Sequence, residues 1–179
     1  MRHKYQTTAL VLARSPRGEM SATVALLTAD LGLIRARVQG VRRPGARLAA
    51  ALTTFAESEV ILVRGRESWR VAGASLVQNW LPKLPRAARE RAVRIIGFAL
   101  RLIPMDTIDA SFFPIVHETF TAFAREPETL GDAFECRAIL CLLAALGLDA
   151  GQVPDPSEIV RSRSPIIARI NRGIALSGL

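Results

Sequence analysis

The sequence predicts an α+β fold in which a small closed β-barrel of five strands is followed by an α-helical domain. Two observations lead to this prediction. The first eighty residues consist of short apolar or alternating runs separated by turns that contain glycine, which is typical of antiparallel strands. After residue 80 the apolar residues recur every three or four positions, which is typical of amphipathic helices. The change of period predicts two domains, 1–80 and 81–179.

Five segments of the first domain carry the strand pattern. They are residues 9–12, 21–28, 33–39, 57–63 and 69–77. Pro16 and Gly18 predict a turn over 14–19, and an alanine-rich segment at 48–52 predicts a short helix between the third and fourth strands. Five short strands with one such helix match the oligonucleotide-binding (OB) fold, a small Greek-key barrel.

The second domain carries four segments with the helical pattern. The prolines between 82 and 85 mark its beginning, and the helices are predicted over 86–103, 112–124, 129–147 and 165–177. Thr129 is the predicted N-cap of the third helix and Gly147 its C-cap. Ser164 and Pro165 are the predicted N-cap and first residue of the last helix. Residues 152–156 are predicted to form a loop.

Positive charge is concentrated in the first domain. Of the 24 Lys and Arg and 16 Asp and Glu residues, residues 1–80 hold 12 and 5, whereas residues 81–179 hold 12 and 11. Five arginines fall between positions 35 and 47, and no acidic residue occurs between Asp30 and Glu57. A solvated surface usually mixes acids with bases, so this pattern favours a polyanion-binding surface. A bias in codon usage explains the preference for arginine over lysine better than recognition of phosphate by the planar guanidinium does, but it does not explain where the charge lies.

The predicted nucleic-acid-binding residues are therefore all arginines of the first domain. They are Arg35, Arg37, Arg42, Arg43 and Arg47, extended by Arg14, Arg17, Arg66 and Arg70 on neighbouring turns. Trp69 is a candidate for base stacking, although a half-buried strand residue explains it better. Around the apolar stripe of the first long helix lies a weaker, partner-binding group, which a solvated helix face explains equally well. Its members are Arg89, Arg91, Arg94 and Arg101.

No catalytic or metal-binding constellation is predicted. His3 and His117 have no recognisable motif around them, and no phosphate-cradling glycine series occurs. Cys136 and Cys141 lie five residues apart on a predicted helix, so their side chains point about 140° away from each other and do not suit one tetrahedral zinc site. We expect no catalysis, no cofactor and no metal. With two cysteines and no long apolar run, we expect a cytoplasmic protein with no membrane partner.

The order of several short motifs resembles that of RecO, a family of bacterial recombination mediators. The motifs are Gly18-Glu19, Leu27-Thr28, Asp30-Leu31-Gly32, Gln39-Gly40, Arg42-Arg43-Pro44 and, in the second domain, the leucine-rich segment 134–148. One departure stands out. Many members of the family carry a four-cysteine zinc module after that leucine-rich segment, and here the module is expected to be absent.

The resemblance implies an N-terminal OB domain that binds single- and double-stranded DNA and promotes strand annealing. It also implies loading of recombinase onto DNA coated by single-strand-binding protein, a RecR-like partner, association with the nucleoid, and capture of the C-terminal tail of single-strand-binding protein by the helical domain. Two alternatives remain open: an OB-fold RNA-binding or ribosome-associated factor, and an interaction scaffold whose arginines reflect base composition alone.

Overall fold

The computed structural model describes residues 3–17, 21–39, 47–66 and 68–178, except for the side chain of Arg47. Within it the chain forms two compact units. The barrel unit comprises Met1–Pro82 and Pro104–Phe113, and the helical unit comprises Lys83–Ile103 and Pro114–Leu179.

The barrel unit is a closed five-stranded barrel, which confirms the predicted fold class. Its strands are β1 (Lys4–Arg17), β2 (Ser21–Thr28), β3 (Gly32–Gln39), β4 (Ala56–Arg64) and β5 (Trp69–Asn79), with the short helix α1 (Arg47–Ala51) between β3 and β4. The strands follow each other around the barrel in the order β1-β2-β3-β5-β4. All pairs are antiparallel except β3 with β5, which pair in parallel over two residues. This is the OB topology.

Strand β1 is longer than predicted. Residues 14–17 continue the strand and pair with β2, so the predicted turn over 14–19 is wrong at its beginning. A register shift between Val11 and Ala13 bends the strand, which allows it to pair with both β4 and β2. Pro16 is tolerated because it lies close to the end of the strand, where a missing N–H costs little.

Alternation along the strands builds the barrel core. Ala22, Val24 and Leu26 on β2 face the interior, and so do Ile34, Ala36 and Val38 on β3. Helix α1 supplies Leu52 just beyond its end, and the Ser58 hydroxyl donates a hydrogen bond of 2.7 Å to the carbonyl of Ala51. The residues between the inward-facing ones point to the other face of the sheet, where Ala25, Leu27 and Leu33 are buried as well.

The segment after Pro104 returns to the barrel. Met105 forms a parallel bridge with Leu33, and the backbone N–H of Asp106 donates to the Leu33 carbonyl at 2.8 Å. Gly32, at the start of β3, has φ +74°, and a Cβ built there would lie 2.3 Å from the carbonyl oxygen of Thr107. Only glycine fits this close approach.

The helical unit contains more helix than the sequence pattern indicated. Its helices are α2 (Arg86–Leu102), α3 (Phe112–Arg125), which begins in the barrel unit, α4 (Gly131–Ala145), α5 (Pro156–Arg161) and α6 (Arg163–Leu176). Single 3-10 turns occur at Leu81–Lys83 and Glu128–Leu130. None of the helices in the described part of the chain is both long and apolar enough to cross a lipid bilayer.

Two predicted helix starts are wrong, and one helix was not predicted. Helix α4 begins at Gly131, because the residues before it form the 3-10 turn. Helix α5 begins at Pro156, the last residue of the predicted loop, and occupies the stretch after it: Asp155 caps it through a reciprocal pair of hydrogen bonds with Glu158, and Pro156 fills its first position. Helix α6 begins at Arg163 rather than Pro165. The N–H groups of the first turn of a helix have no intrahelical acceptor, so Pro165 is accommodated there without the loss of a hydrogen bond.

Candidate nucleic-acid interface

The exposed face of β3 carries two arginines, Arg35 and Arg37. They alternate with the buried residues of the barrel core, so both side chains face outward. Arg37 pairs in register with Arg70 on β5, which is also exposed. Three predicted arginines therefore lie on one continuous outer surface.

The neighbouring strands add small uncharged residues to this surface. Arg37 pairs with Thr23 of β2, which in turn pairs with Ser15 of β1. Arg17, at the end of β1, pairs with Ser21. The face of β2 and β3 therefore offers hydroxyl groups beside guanidinium groups, with Arg17 at its edge.

No carboxylate of the described residues lies within 4 Å of the guanidinium groups of Arg17, Arg35, Arg37 or Arg70. Three acidic side chains of the barrel accept hydrogen bonds elsewhere. Asp30 accepts from Thr7 at 2.6 Å, Glu59 from Thr8 at 2.6 Å, and Glu57 from the Trp80 indole at 3.0 Å. Within the described residues these acids form no ion pair with the four arginines.

The turn between β4 and β5 lies at the side of this surface. The N–H of Gly65 donates to the carbonyl of Ser68 at 3.0 Å and closes the turn. Two clefts flank it. The larger, of about 240 Å³, is lined by Arg37, Gln39, Val63, Gly65, Ser68 and Arg70. The smaller, of about 100 Å³, is lined by Arg64, Gly65, Arg66, Ser68, Trp69 and Asp106.

Sequence reasoning did not include Gln39 and Ser68, because nothing in their local sequence signals that β3 and the β4–β5 turn meet. The strands and turn that form this surface are those with which OB folds bind oligonucleotides: the face of strands 2 and 3, with the loop joining strands 4 and 5.

Trp69 is not available for base stacking. Its side chain is only 5% exposed and belongs to the barrel core. The ring of Tyr5 meets it edge-on at a centroid distance of 5.3 Å, and the guanidinium of Arg64 lies 5.4 Å from the Trp69 ring centre. Phe55 and Trp80 are buried as well.

The remaining predicted DNA-binding residues fall into two groups. Arg14 pairs with the core residue Val24, so it lies on the inward-facing row of β1, and its guanidinium donates to the Ala49 carbonyl at 3.4 Å. It is not brought together with the outward arginines. Arg42 and Arg43 lie outside the described residues, and so does the side chain of Arg47.

The arginines of α2 make contacts within the helical unit. Arg94 forms a two-pronged pair with Glu135 at 2.6 and 2.7 Å. Arg91 pairs with Glu128 and with Asp132, the latter at 2.9 Å. The hydrogen bond from Arg91 holds the pKa of Asp132 below its ordinary value.

Arg89 and Arg101 are exposed, and each donates its Nε to a carbonyl near its own helix, of Leu84 and Gly97 respectively. A role for the four α2 arginines in partner binding stays a prediction.

Cys136 and Cys141 are free thiols on α4 and are partly buried. Burial raises the pKa of both thiols. Within the described residues, no group of three or more His, Cys, Asp or Glu side chains is arranged to hold a metal ion.

Residues 1–80 match the family model of the N-terminal region of recombination protein O. The chain therefore resembles RecO. It is 35% identical to the DNA repair protein RecO of Dehalococcoides mccartyi strain 195 over 79 residues, which is 44% of this chain and 31% of that protein.

Two longer matches extend through the helical unit. The RecO-like chain is 28% identical to the DNA repair protein RecO of Gloeothece citriformis over 174 residues, 93% of this chain and 58% of that protein. It is 30% identical to the DNA repair protein RecO of Heliobacterium modesticaldum over 167 residues, 88% of this chain and 59% of that protein. These matches therefore span less than two thirds of the length of each relative.

Proposed function

We propose that this RecO-like chain is a DNA repair protein that acts as a recombination mediator and binds DNA through the outer face of β2, β3 and β5. The observation that carries the proposal is the cluster of Arg35, Arg37 and Arg70, which lies on that face with no described carboxylate within 4 Å. The names of the relatives support the setting in DNA repair. The protein acts by binding, with no chemical step of its own.

The arginine surface binds its ligand mainly by electrostatic attraction between guanidinium and phosphate groups. Every phosphate that an arginine neutralises releases a counterion, so affinity falls with salt by a slope of about 0.7 per contact on a single strand and about 0.9 on duplex DNA. Hydroxyl groups of Ser15 and Thr23 on the same face add hydrogen bonds to phosphate oxygens.

Contacts with the bases contribute little to the binding affinity. Every Phe, Trp and Tyr of the barrel unit is buried or partly buried, and the segments outside the described residues contain none of these three types. Stacking on such rings ordinarily adds about 1–3 kcal/mol per base for single-strand binders. Without it, the surface binds single strands and duplexes alike and shows little sequence preference, which suits the annealing of complementary strands.

The helical unit is the proposed partner-binding part of the molecule. Its partners are a RecR-like protein and the acidic, apolar C-terminal tail of single-strand-binding protein. Such a tail needs an apolar groove with a cationic rim. A cleft of about 130 Å³ between α4 and α5 offers an apolar wall of Ile159 and Val160. The exposed Arg163 at its rim pairs with Asp132 of the same cleft at 2.9 Å, so an acidic tail has to displace that carboxylate. Arg89 and Arg101 on α2 are the alternative rim.

Strand annealing tests the proposal. Complementary oligonucleotides coated with single-strand-binding protein are mixed with and without this protein, and duplex formation is followed by fluorescence transfer at several salt concentrations. We expect faster annealing that declines steeply with salt. No acceleration, combined with tight binding to structured RNA, would instead favour an RNA-binding factor. Absence of binding to any nucleic acid would favour a scaffold.

A further inference from the structure

We propose that the outer face of β1, β4 and β5 carries a docking site for a short segment of a protein partner that is basic and partly apolar. The site is an open cleft of about 260 Å³, the Glu59 cleft, lined by Gln6, Glu59, Ile61, Gly73, Ala74 and Ser75. A lysine or arginine of the segment binds the Glu59 carboxylate, and an apolar neighbour packs on Ile61. The cleft shares no residue with the cluster of Arg35, Arg37 and Arg70, so this inference does not depend on DNA binding.

The register of the three strands brings the residues of the Glu59 cleft together. They belong to two adjacent rows of register partners, Gln6–Ile61–Gly73 and Thr8–Glu59–Ser75. On β4 the side chains of Val60 and Leu62 belong to the barrel core, so Glu59 and Ile61 between and beside them face outward. One carboxylate and one large apolar side chain therefore lie next to each other on the outside of the barrel.

The carboxylate of Glu59 is oriented but only partly satisfied. Its Oε1 accepts a hydrogen bond of 2.6 Å from the hydroxyl of Thr8. Within the described residues its Oε2 accepts no hydrogen bond, and no cation lies within 4 Å of either oxygen. Lys4 lies on the same strand as Thr8 but about 13 Å away along it, which exceeds the screening length of about 8 Å at physiological salt. The carboxylate is therefore an acceptor for a cation from outside the barrel.

The apolar part of the cleft is open because residue 73 has no side chain. Ile61 is 39% exposed although it lies within a strand of the closed barrel. A Cβ on Gly73 would meet only Cδ1 of Ile61 within 4 Å, at 3.6 Å, which is an ordinary contact. The fold thus has room for alanine at this position, and a glycine within a strand often marks the close approach of a ligand. Further along β5, Leu76 and Val77 are 45% and 54% exposed and extend the apolar surface.

The size and charge of this face indicate its occupant. Strands lie about 4.8 Å apart and residues rise about 3.3 Å along a strand, so the two rows cover on the order of 200 Å². A stable interface between two proteins needs about 800 Å² on each partner, so a second copy of this chain is a poor fit. Nucleic acid is repelled by the carboxylate. An extended segment of four or five residues spans about 15 Å, which matches the cleft together with its apolar extension.

Peptide selection provides the probe. A random heptapeptide library is selected on the immobilised full chain, with heparin in excess to keep acidic peptides off the arginines. We expect the enriched peptides to carry a lysine or arginine next to an apolar residue. One such peptide is then synthesised in two forms, one with its basic residue and one with a neutral analogue of similar shape, which is citrulline for arginine or acetyl-lysine for lysine.

The affinity of both peptides is measured for the wild type and three variants. Glu59→Gln keeps an oxygen for the Thr8 hydroxyl but removes the charge, so it is expected to weaken the basic peptide roughly tenfold and the neutral peptide little. Gly73→Ala is expected to weaken both peptides severalfold, while the thermal midpoint of unfolding stays the same or rises. Asp30→Asn is the matched control: Asp30 also accepts a hydrogen bond of 2.6 Å from a threonine of β1, Thr7, but does not line the cleft. It is expected to leave both affinities unchanged.

The inference is overturned if the library yields no binder, if the enriched peptides lack a basic residue, or if the basic peptide binds Glu59→Gln as tightly as Asp30→Asn. Two further results would overturn it by assigning the face to another occupant. A dimer in sedimentation that dissociates in Glu59→Gln would indicate a second copy of the chain. An oligonucleotide affinity that rises more in Glu59→Gln than in Asp30→Asn would indicate nucleic acid. A wild type that binds no oligonucleotide contradicts the proposed function and leaves the peptide result to decide this inference.

Discussion

Arg37 on β3 and Arg70 on β5 are register partners in the short parallel pairing that closes the barrel. Like charges beside each other on one face of a sheet repel and destabilise it. No described carboxylate lies close enough to relieve the repulsion. The repulsion between Arg37 and Arg70 therefore lowers the stability of the barrel slightly, and a bound anion relieves it. Binding of the proposed ligand thus stabilises the barrel.

Replacing either arginine of this pair by glutamine is expected to separate stability from binding. Arg37→Gln or Arg70→Gln removes the repulsion, so the free energy of unfolding stays the same or rises by a few tenths of a kcal/mol. The same change removes a phosphate contact and lowers the salt slope of single-strand binding by about 0.7. Urea unfolding and salt-dependent oligonucleotide binding measure the two effects. Arg125→Gln and Arg172→Gln, on exposed residues of the helical unit, are expected to leave binding unchanged.

Glycine-to-alanine changes at two positions are expected to have opposite effects. Gly32→Ala places a Cβ 2.3 Å from the Thr107 carbonyl oxygen at φ +74°, so we expect a loss of about 2 kcal/mol or more in unfolding free energy. Gly97→Ala, inside α2, meets no atom within 4 Å and should stabilise by about 0.5–1 kcal/mol. Thermal or urea unfolding measures both. A tolerated Gly32→Ala would contradict the close approach of residues 104–109 to β3.

The ion pair between Arg169 and Asp149 is expected to stabilise the helical unit. Their side chains are only 18% and 10% exposed, and the guanidinium also donates to the carbonyls of Gly151 and Gln152. Asp149→Asn leaves part of this guanidinium without its counter-charge, so we expect a loss of about 1–3 kcal/mol at pH 7.

The effect of Asp149→Asn should depend on pH. The hydrogen bond from Arg169 lowers the pKa of the Asp149 carboxyl in the folded state. A lowered folded pKa stabilises the protein above the unfolded pKa of about 3.9, and the contribution is lost as the pH falls through the folded value. The difference between wild type and Asp149→Asn should therefore be constant from pH 7 to about pH 5 and shrink as the solution becomes more acidic. Urea unfolding across this range measures it.

The two cysteines are expected to react slowly with thiol reagents. Both are partly buried, and burial raises the pKa of each thiol, so less of the reactive thiolate is present at a given pH. At pH 8 the folded protein should react several times more slowly than the urea-unfolded protein. Metal analysis is expected to find no stoichiometric zinc. One zinc per chain, or two fast thiols, would contradict the assignment of these cysteines to the packed part of α4.

The sequence predicted those parts of the fold in which one pattern dominates. Alternation along β3 was enough to place Arg35 and Arg37 on the outer face, because the inward residues Ile34 and Ala36 are apolar. Helix α5 was missed because six residues are too few to show a helical period, although Asp155 and Glu158 have the spacing of a capping box.

The candidate site was less predictable than the fold. The local sequence does not distinguish Arg14 from Arg17. After the register shift between Val11 and Ala13, however, Arg14 pairs with the core residue Val24, so it faces inward. The meeting of β3 with the β4–β5 turn depends on the closure of the barrel, which pairs Arg37 with a residue 33 positions later. Periodicity in the sequence indicates local geometry only, so it does not predict which residues pair when they are far apart in the chain.

The bridge between Leu33 and Met105 has a consequence for how the protein is made. The barrel unit takes its last piece, Pro104–Phe113, from beyond helix α2, so residues that are neighbours in space are synthesised far apart in time. At 5–20 residues per second, a ribosome needs roughly 2 to 6 seconds to extend the chain from residue 82 to residue 113. All five strands are synthesised before Met105, the partner of Leu33, and α2 is synthesised before the last piece of the barrel unit.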